Sequence, residues 1–376
     1  MTFTIKQIML REIRMKLREP FQISSGATST RRILLLQLEG VDGCKVWSEC
    51  VAGETPNYSP DTIATSWTAI KEWIAPKVLG KEFLGPSSVS EALDTDIRGH
   101  KMAKAAVEMG AWALEAEREG VSLSKLLGGT RDKIGTGISL GIQKDPATLV
   151  EKAGEALSEG YRKIKLKIKP GADLEYVAAV REALGDKAPL MVDANNAYTV
   201  ADFDHLLSLD DFGLVMIEQP LAWDDVVKHA ELEKLLKTPI CLDESITGVD
   251  KAEDMLQLES GKIINIKPGR VGGFTESKAI HDLCDREGIP VWCGGMLESG
   301  VGRAYNVALA SLPNFKIPGD ISPSARYWEH DIVTPEWTMD ASGMVTVPQE
   351  THGIGVDVNV DRVDNLTVRS DILAAE

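Results

Sequence analysis

The chain is poor in cysteine, histidine, aromatic residues and positive charge, and each scarcity excludes a class of protein. Its five cysteines (Cys44, Cys50, Cys241, Cys284 and Cys293) are odd in number, scattered and without a CxxC pair. That argues against a disulfide scaffold or a cysteine zinc site and predicts buried thiols in a reducing compartment. A net charge of −16 offers no basic field to a phosphate backbone or an anionic bilayer, so neither nucleic acid nor membrane is expected as a partner. No run reaches eighteen apolar residues, and charges break the N-terminal stretch MTFTIKQIMLREIRMKLREP throughout, unlike a secretory signal. What is present, 43% hydrophobic and 26% charged over 376 residues, is the balance of a globular protein too long for one ordinary core. A cytoplasmic enzyme is the expectation.

Residues 1–130 read as an α+β unit. Alternating segments (TFTIKQIMLREIRM, RRILLLQLEG) are followed by a turn at Val41-Asp42-Gly43 and by helical patterns over 61–79 and 101–119. Ser59-Pro60-Asp61 has the form of a helix start. Two loops rich in glycine, serine and proline, Ser24-Ser25-Gly26 and Gly53 to Tyr58, have the composition of lids. From about 131 to 325 the texture changes to short apolar runs, each followed by a helical pattern. Their ends fall at Gly141, Lys167, Asp193, Glu218, Asp243, Lys267, Cys293 and about Pro318, a period of about 25 residues repeated eight times. One strand plus one helix per period is the signature of a parallel α/β barrel. Residues 326–376 lose the period and are expected to pack back on the first unit.

Three consecutive runs end in an acid: Asp193, Glu218 and Asp243. In a parallel barrel all carboxyl ends lie on one rim, so the three converge, and such a cluster is costly without a cation. Hard oxygen donors predict Mg²⁺, or another divalent ion such as Mn²⁺. The run before them, RKIKLKIK, alternates lysines with Ile164, Leu166 and Ile168. Its apolar side must face the barrel helices, which turns the lysines inward. The run after them delivers Lys267. Lysines on both sides of a metal, the one acting as base being a free amine, suit removal of the weakly acidic proton beside a carboxylate, either with return on the opposite face or with β-elimination.

The motifs Lys165-Leu166-Lys167, Asp193-Ala194-Asn195, Glu218-Gln219-Pro220, Asp243-Glu244-Ser245 and Lys267-Pro268-Gly269-Arg270 resemble the enolase superfamily, muconate-lactonising-enzyme subgroup. Ser139-Leu140-Gly141, Pro220 to Asp225 and Trp292 to Gly300 resemble its N-succinylamino acid (N-acylamino acid) racemase and o-succinylbenzoate synthase branch. The resemblance implies a modified TIM barrel, (β/α)7β, under an N-terminal α+β capping domain completed by the C-terminal tail. It implies Mg²⁺ on Asp193, Glu218 and Asp243, and Lys167 and Lys267 as the acid/base pair. Ser139, Lys165, Asn195, Arg270, Gly295 and Met296 would contact a small carboxylate substrate, with Phe21, Ser25 and Tyr58 on the lids. Arg270 would tune Lys267, or else form a surface salt bridge. Racemisation is the first reading and a dedicated synthase the alternative, with dipeptide epimerase and muconate cycloisomerase behind them. An assembly of identical copies is also implied.

Other patterns point elsewhere. Gly137-Ile138-Ser139-Leu140-Gly141 satisfies GxSxG, but no helix pattern begins directly after the serine, as a hydrolase elbow requires. The related branches that use a late histidine as base are disfavoured, because His281 lies in a helical pattern and His330 beyond the barrel. Gly269 to Gly273 lacks a full phosphate-binding fingerprint. Trp292 and Trp328 are expected in the core.

Overall fold

The computed structural model describes residues 2–375. Alternation in the first forty residues folds into a long antiparallel hairpin, β1 (Phe3–Ile23) and β2 (Gly26–Gly40), extended on one edge by β3 (Lys45–Cys50). On the other edge the C-terminal strand Thr367–Ala374 pairs with β1. Gly43 makes the β2–β3 turn at φ +84°, where a side chain would be strained, and Asp42 accepts the amide of Cys44 there. The helix Lys101–Glu119 lies against this sheet. It approaches so closely at Gly110 that a Cβ would stand 2.8 Å from Leu38. The expected helix start at Ser59-Pro60-Asp61 is displaced. Thr62 is the cap, in a reciprocal box with Thr65, and the helix begins at Ile63. The Asp61 carboxylate is instead engaged by the amide of Met102.

Seven parallel strands follow in sequential order: β4 (Ile138–Leu140), β5 (Ile164–Lys167), β6 (Leu190–Asp193), β7 (Ile217–Glu218), β8 (Ile240–Leu242), β9 (Ile263–Ile266) and β10 (Val291–Cys293). The eighth apolar run closes the barrel without becoming a regular strand. Gly319 donates to Gly135 O (3.1 Å), Gly137 donates to Gly319 O (2.6 Å) and Asp320 donates to Cys293 O (2.9 Å). Pro318 has no N–H to give a ladder, which limits the segment to these contacts. Among the described residues no helix is long and apolar enough to cross a membrane.

Two-residue alternation stacks the barrel interior in layers. Met191, Met216, Cys241, Ile263 and Trp292 form one cluster, and the Lys163 ammonium sits 3.3 Å from the centre of the Trp292 ring. Two residues further along the same strands stand Lys165, Asp193, Glu218, Asp243 and Asn265, all buried. The inward phase that fills the bottom with sulfur and aromatic groups therefore aims polar groups at the rim.

Buried glutamates of the cap tie it to the barrel. Glu108 accepts the amides of Phe274 and Thr275 at the start of helix Phe274–Arg286. Glu49 accepts the amides of Ser299 and Gly302 and the Ser299 hydroxyl at the start of helix Gly300–Ala310. Burial, then the nearby charge of Glu298, raises Glu49 from 4.5 to about 7. An acid whose folded value is raised keeps its proton when the unfolded chain has released it, so stability falls as pH rises from about 4.5 to 7. Glu49→Gln is expected to remove about 3 kcal/mol of that fall, measured as the difference between urea unfolding curves of the two proteins across the window. Parallel curves would contradict it.

Candidate active site

The three acids end adjacent strands in register: Asp193 faces Glu218 across β6 and β7, and Glu218 faces Cys241, two residues before Asp243. All three are fully buried, and lysines stand against them. Lys167 donates to Asp193 Oδ2 (2.5 Å) and to Asn195 Oδ1 (2.7 Å). Lys165 lies 3.3 Å from Asp193, 3.1 Å from Glu218 and 2.6 Å from Asp320. On the far side Lys267 donates to Asp243 Oδ2 (2.7 Å). Gly294 makes room for it, since a Cβ there would lie 2.6 Å from Lys267 Cε.

Charge sets the protonation of this cluster. Although burial opposes it, the charge of Asp243, with Tyr58 and Glu218 beside it, holds Lys267 well above its ordinary value. Lys165 is held up in the same way by Asp320, Glu218 and Asp193. Burial, then the charge of Asp193, pushes Glu218 up to about 8, and burial with Asp243 and Asp193 does the same to Glu244. Against their burial, Lys167 and Lys165 hold Asp193 well below the usual carboxylate range, and Lys267 and Arg270 lower Asp243, so the uncompensated acids are Glu218 and Glu244, and Glu244 Oε2 has no hydrogen-bond partner. The donor set, three adjacent buried carboxylates, fits a hard divalent cation. As the side chains stand, ammonium groups lie between the carboxylates, and among the described residues no three acid, histidine or cysteine side chains are arranged to hold a metal.

Above the cluster opens a cavity of about 440 Å³. Lys167, Lys267, Asn195, Gly295 and Met296 line it, as do Phe21, Ser25 and Tyr58 from the cap. The tip of the β1–β2 hairpin docks on the barrel rim, with the Ser24 hydroxyl donating to Asn195 O (3.0 Å) and the Ile142 amide to Gln22 O (3.0 Å). Asn57 donates to Ser25 Oγ (3.3 Å), so the two cap loops touch over the opening. Ser139, Lys165 and Arg270 stand behind the lining. The Ser139 hydroxyl donates to Asp320 Oδ2 (3.0 Å) in the middle of a strand, which removes it from any nucleophile elbow.

Arg270 is no surface salt bridge. Its buried guanidinium bonds Asp243 Oδ1, Tyr58 Oη (3.1 Å), Ile246 O (2.7 Å) and Asn265 O (2.5 Å). Tyr58 donates to Asp243 Oδ1 (3.0 Å) and accepts from Lys267 (3.1 Å), so a cap residue completes the Lys267 environment. Lys163 points inward as the alternation of RKIKLKIK predicts, whereas Asp320 and Asn265 are not singled out by the sequence. Asn265 carried a signal, a polar residue on the inward phase of IINIK, and it donates to Glu218 Oε1 (2.7 Å). Asp320 had none, because it follows a run that Pro318 interrupts. His281 is a core residue that accepts the Asn314 amide (2.9 Å), and His330 is exposed. Trp292 and Trp328 are buried, and all five thiols are free, four of them buried.

Residues 148–363 match the enolase C-terminal domain-like family, and residues 5–128 the mandelate racemase / muconate lactonizing enzyme N-terminal domain. The chain belongs to the enolase superfamily. It is 48% identical to an o-succinylbenzoate synthase of Geobacillus kaustophilus, over 98% of this chain and 97% of that one. It is 44% identical to an N-succinylamino acid racemase of Thermus thermophilus, over 97% and 98%. A crystal structure of an enolase-superfamily member from Listeria innocua superposes with a TM-score of 0.95 at 38% identity, covering 99% of each chain. The α+β unit is the N-terminal cap of this superfamily fold and the seven curled parallel strands its C-terminal domain.

Proposed function

We propose that the chain is a divalent-metal-dependent N-succinylamino acid (N-acylamino acid) racemase that is also competent as an o-succinylbenzoate synthase. The observation that carries this reading is that Lys167 and Lys267 line one cavity from opposite sides of three buried carboxylates. Asp193, Glu218 and Asp243 would hold Mg²⁺ or Mn²⁺, which when bound neutralises charge building on the substrate carboxylate. One lysine, as free amine, takes the α-proton and becomes an ammonium. The electron pair of the broken C–H bond passes into the carboxylate, giving an enediolate. The opposite lysine, already an ammonium, returns a proton to the other face and becomes the amine. Lys165, held protonated behind Lys167, contributes positive charge to this dianion. Asn195 orients Lys167 through the 2.7 Å hydrogen bond, and the cap loops keep water from the α-carbon.

The synthase reading has an observation of its own. Asp243 and Tyr58 hold Lys267 as a cation, and Arg270 braces both of them, which suits a group that stays charged beside a ring while Lys167 performs both proton transfers of a water elimination. Relatives of similar identity carry both names. The test is polarimetry of N-succinyl-L-phenylalanine with Mg²⁺, run beside conversion of the cyclohexene substrate to o-succinylbenzoate. Loss of rotation without net conversion supports the racemase. Constant rotation with synthase turnover would replace it by the alternative.

A further inference from the structure

The cavity has charge at two depths. Lys167 and Lys267 lie at its floor, with side chains 8% and 6% exposed, whereas Arg32 on β2 lines its outer part at 21% exposure. Arg32 Nε donates to Glu12 Oε1 at 2.9 Å, and Glu12 is itself buried, so the guanidinium is fixed from behind. Its two Nη groups have no hydrogen-bond partner among the described residues. Glu54 Oε1 makes only a long ion pair, 3.6 Å from Nη1, on a side chain 61% exposed. The lining also includes the apolar Phe21, Ile23, Met296 and Leu297 and two further charged side chains, Glu54 and the buried Arg31, whose Nη groups are spent on the carbonyls of Val51, Ala52 and Met296.

A fixed guanidinium whose Nη groups make no hydrogen bond, on the same cavity as two buried lysines, matches a molecule with a carboxylate at each end. We propose that Arg32 is a specificity-determining residue that binds a second, distal carboxylate of the substrate. The site then selects acyl groups derived from a dicarboxylic acid over uncharged acyl groups of the same size. The inference rests on the racemase and synthase reading above and names the contact that distinguishes a succinyl group. The planar fork of Nη1 and Nη2 suits bidentate carboxylate binding, and Glu54, exposed and beyond bonding distance, yields to the ligand.

The experiment compares N-succinyl-L-phenylalanine with its uncharged isostere N-succinamoyl-L-phenylalanine, following α-proton exchange in D2O with Mg²⁺. The wild type is expected to favour the succinyl compound by about tenfold or more in kcat/KM, mainly through KM. Arg32→Gln is expected to bring the ratio close to one. Glu54→Gln, which removes the competing acid, is expected to raise the ratio, and it tests the idea independently if Arg32→Gln fails to fold. A wild-type ratio near one, or equal losses on both compounds in Arg32→Gln, would overturn the proposal. Exchange of neither compound overturns the racemase reading and this proposal with it, which is a different result from exchange of both at equal rates.

Discussion

Lys167→Ala and Lys267→Ala are each expected to lower kcat for racemisation by about 10²- to 10⁴-fold, the contribution of a positioned acid or base. Neither change should unfold the site. Without Lys267, Asp243 keeps Arg270 and Tyr58; without Lys167, Asp193 keeps Lys165 at 3.3 Å. The two-sided geometry makes a sharper demand than loss of rate. Each variant retains a base on one face, so each should still exchange the α-proton of one enantiomer, a different one in each variant. For synthase turnover the pair becomes unequal, because Lys267 is asked only for its charge. Lys267→Arg should then keep far more synthase activity than Lys167→Arg. Chiral chromatography with proton NMR in D2O reads the first comparison, and formation of o-succinylbenzoate the second. Exchange of both enantiomers in either alanine variant would place the second base elsewhere.

Removal of divalent cation by a chelator is expected to abolish turnover by about 10³-fold or more, because several kcal/mol of charge stabilisation are lost. A thermal readout is independent of activity. A ligand at one hundred times its Kd stabilises the folded state by about 2.7 kcal/mol, so Mg²⁺ should raise the Tm of the wild type by several degrees. Glu218→Gln, at the centre of the cluster, should remove that rise while leaving the Tm in chelator close to or above that of the wild type, since it deletes a carboxylate that burial and Asp193 already push up to about 8. A wild-type Tm indifferent to Mg²⁺, Mn²⁺ and chelator would count against a metal on these acids.

Much of this architecture was legible because the chemistry is written at strand ends. Asp193, Glu218, Asp243 and Lys267 each follow an apolar run, and the 25-residue period puts those ends on one rim. The inward turn of Lys165 and Lys167 was equally plain, since Ile164 and Leu166 could not face a polar interior. Contacts between distant segments were not legible. Arg270 stood equally between a tuning role and a surface pair, and only the fold shows Asp243, Tyr58 and two carbonyls around it. Tyr58 was one of several lid residues until a cap loop, two hundred residues away in sequence, placed its hydroxyl on Lys267. Asp320 escaped notice because the eighth run is held by isolated hydrogen bonds around Pro318 and Gly319, without a strand whose phase could be read. The helix start at Thr62 was missed for a local reason: Ser59-Pro60-Asp61 copies a cap signal, and Ser59 Oγ does accept the Asp61 amide (3.2 Å), but the helix begins only after the reciprocal box of Thr62 and Thr65.

The central claim is that two lysines reach one α-carbon from opposite faces. It is tested most directly by incubating the Mg²⁺-loaded enzyme with each enantiomer of N-succinylphenylalanine in D2O and following early time points by proton NMR and chiral chromatography. The account predicts that both enantiomers are processed and that the product of inverted configuration carries deuterium from its first appearance. Absence of α-exchange from both enantiomers, in enzyme whose Tm responds to Mg²⁺, would contradict it.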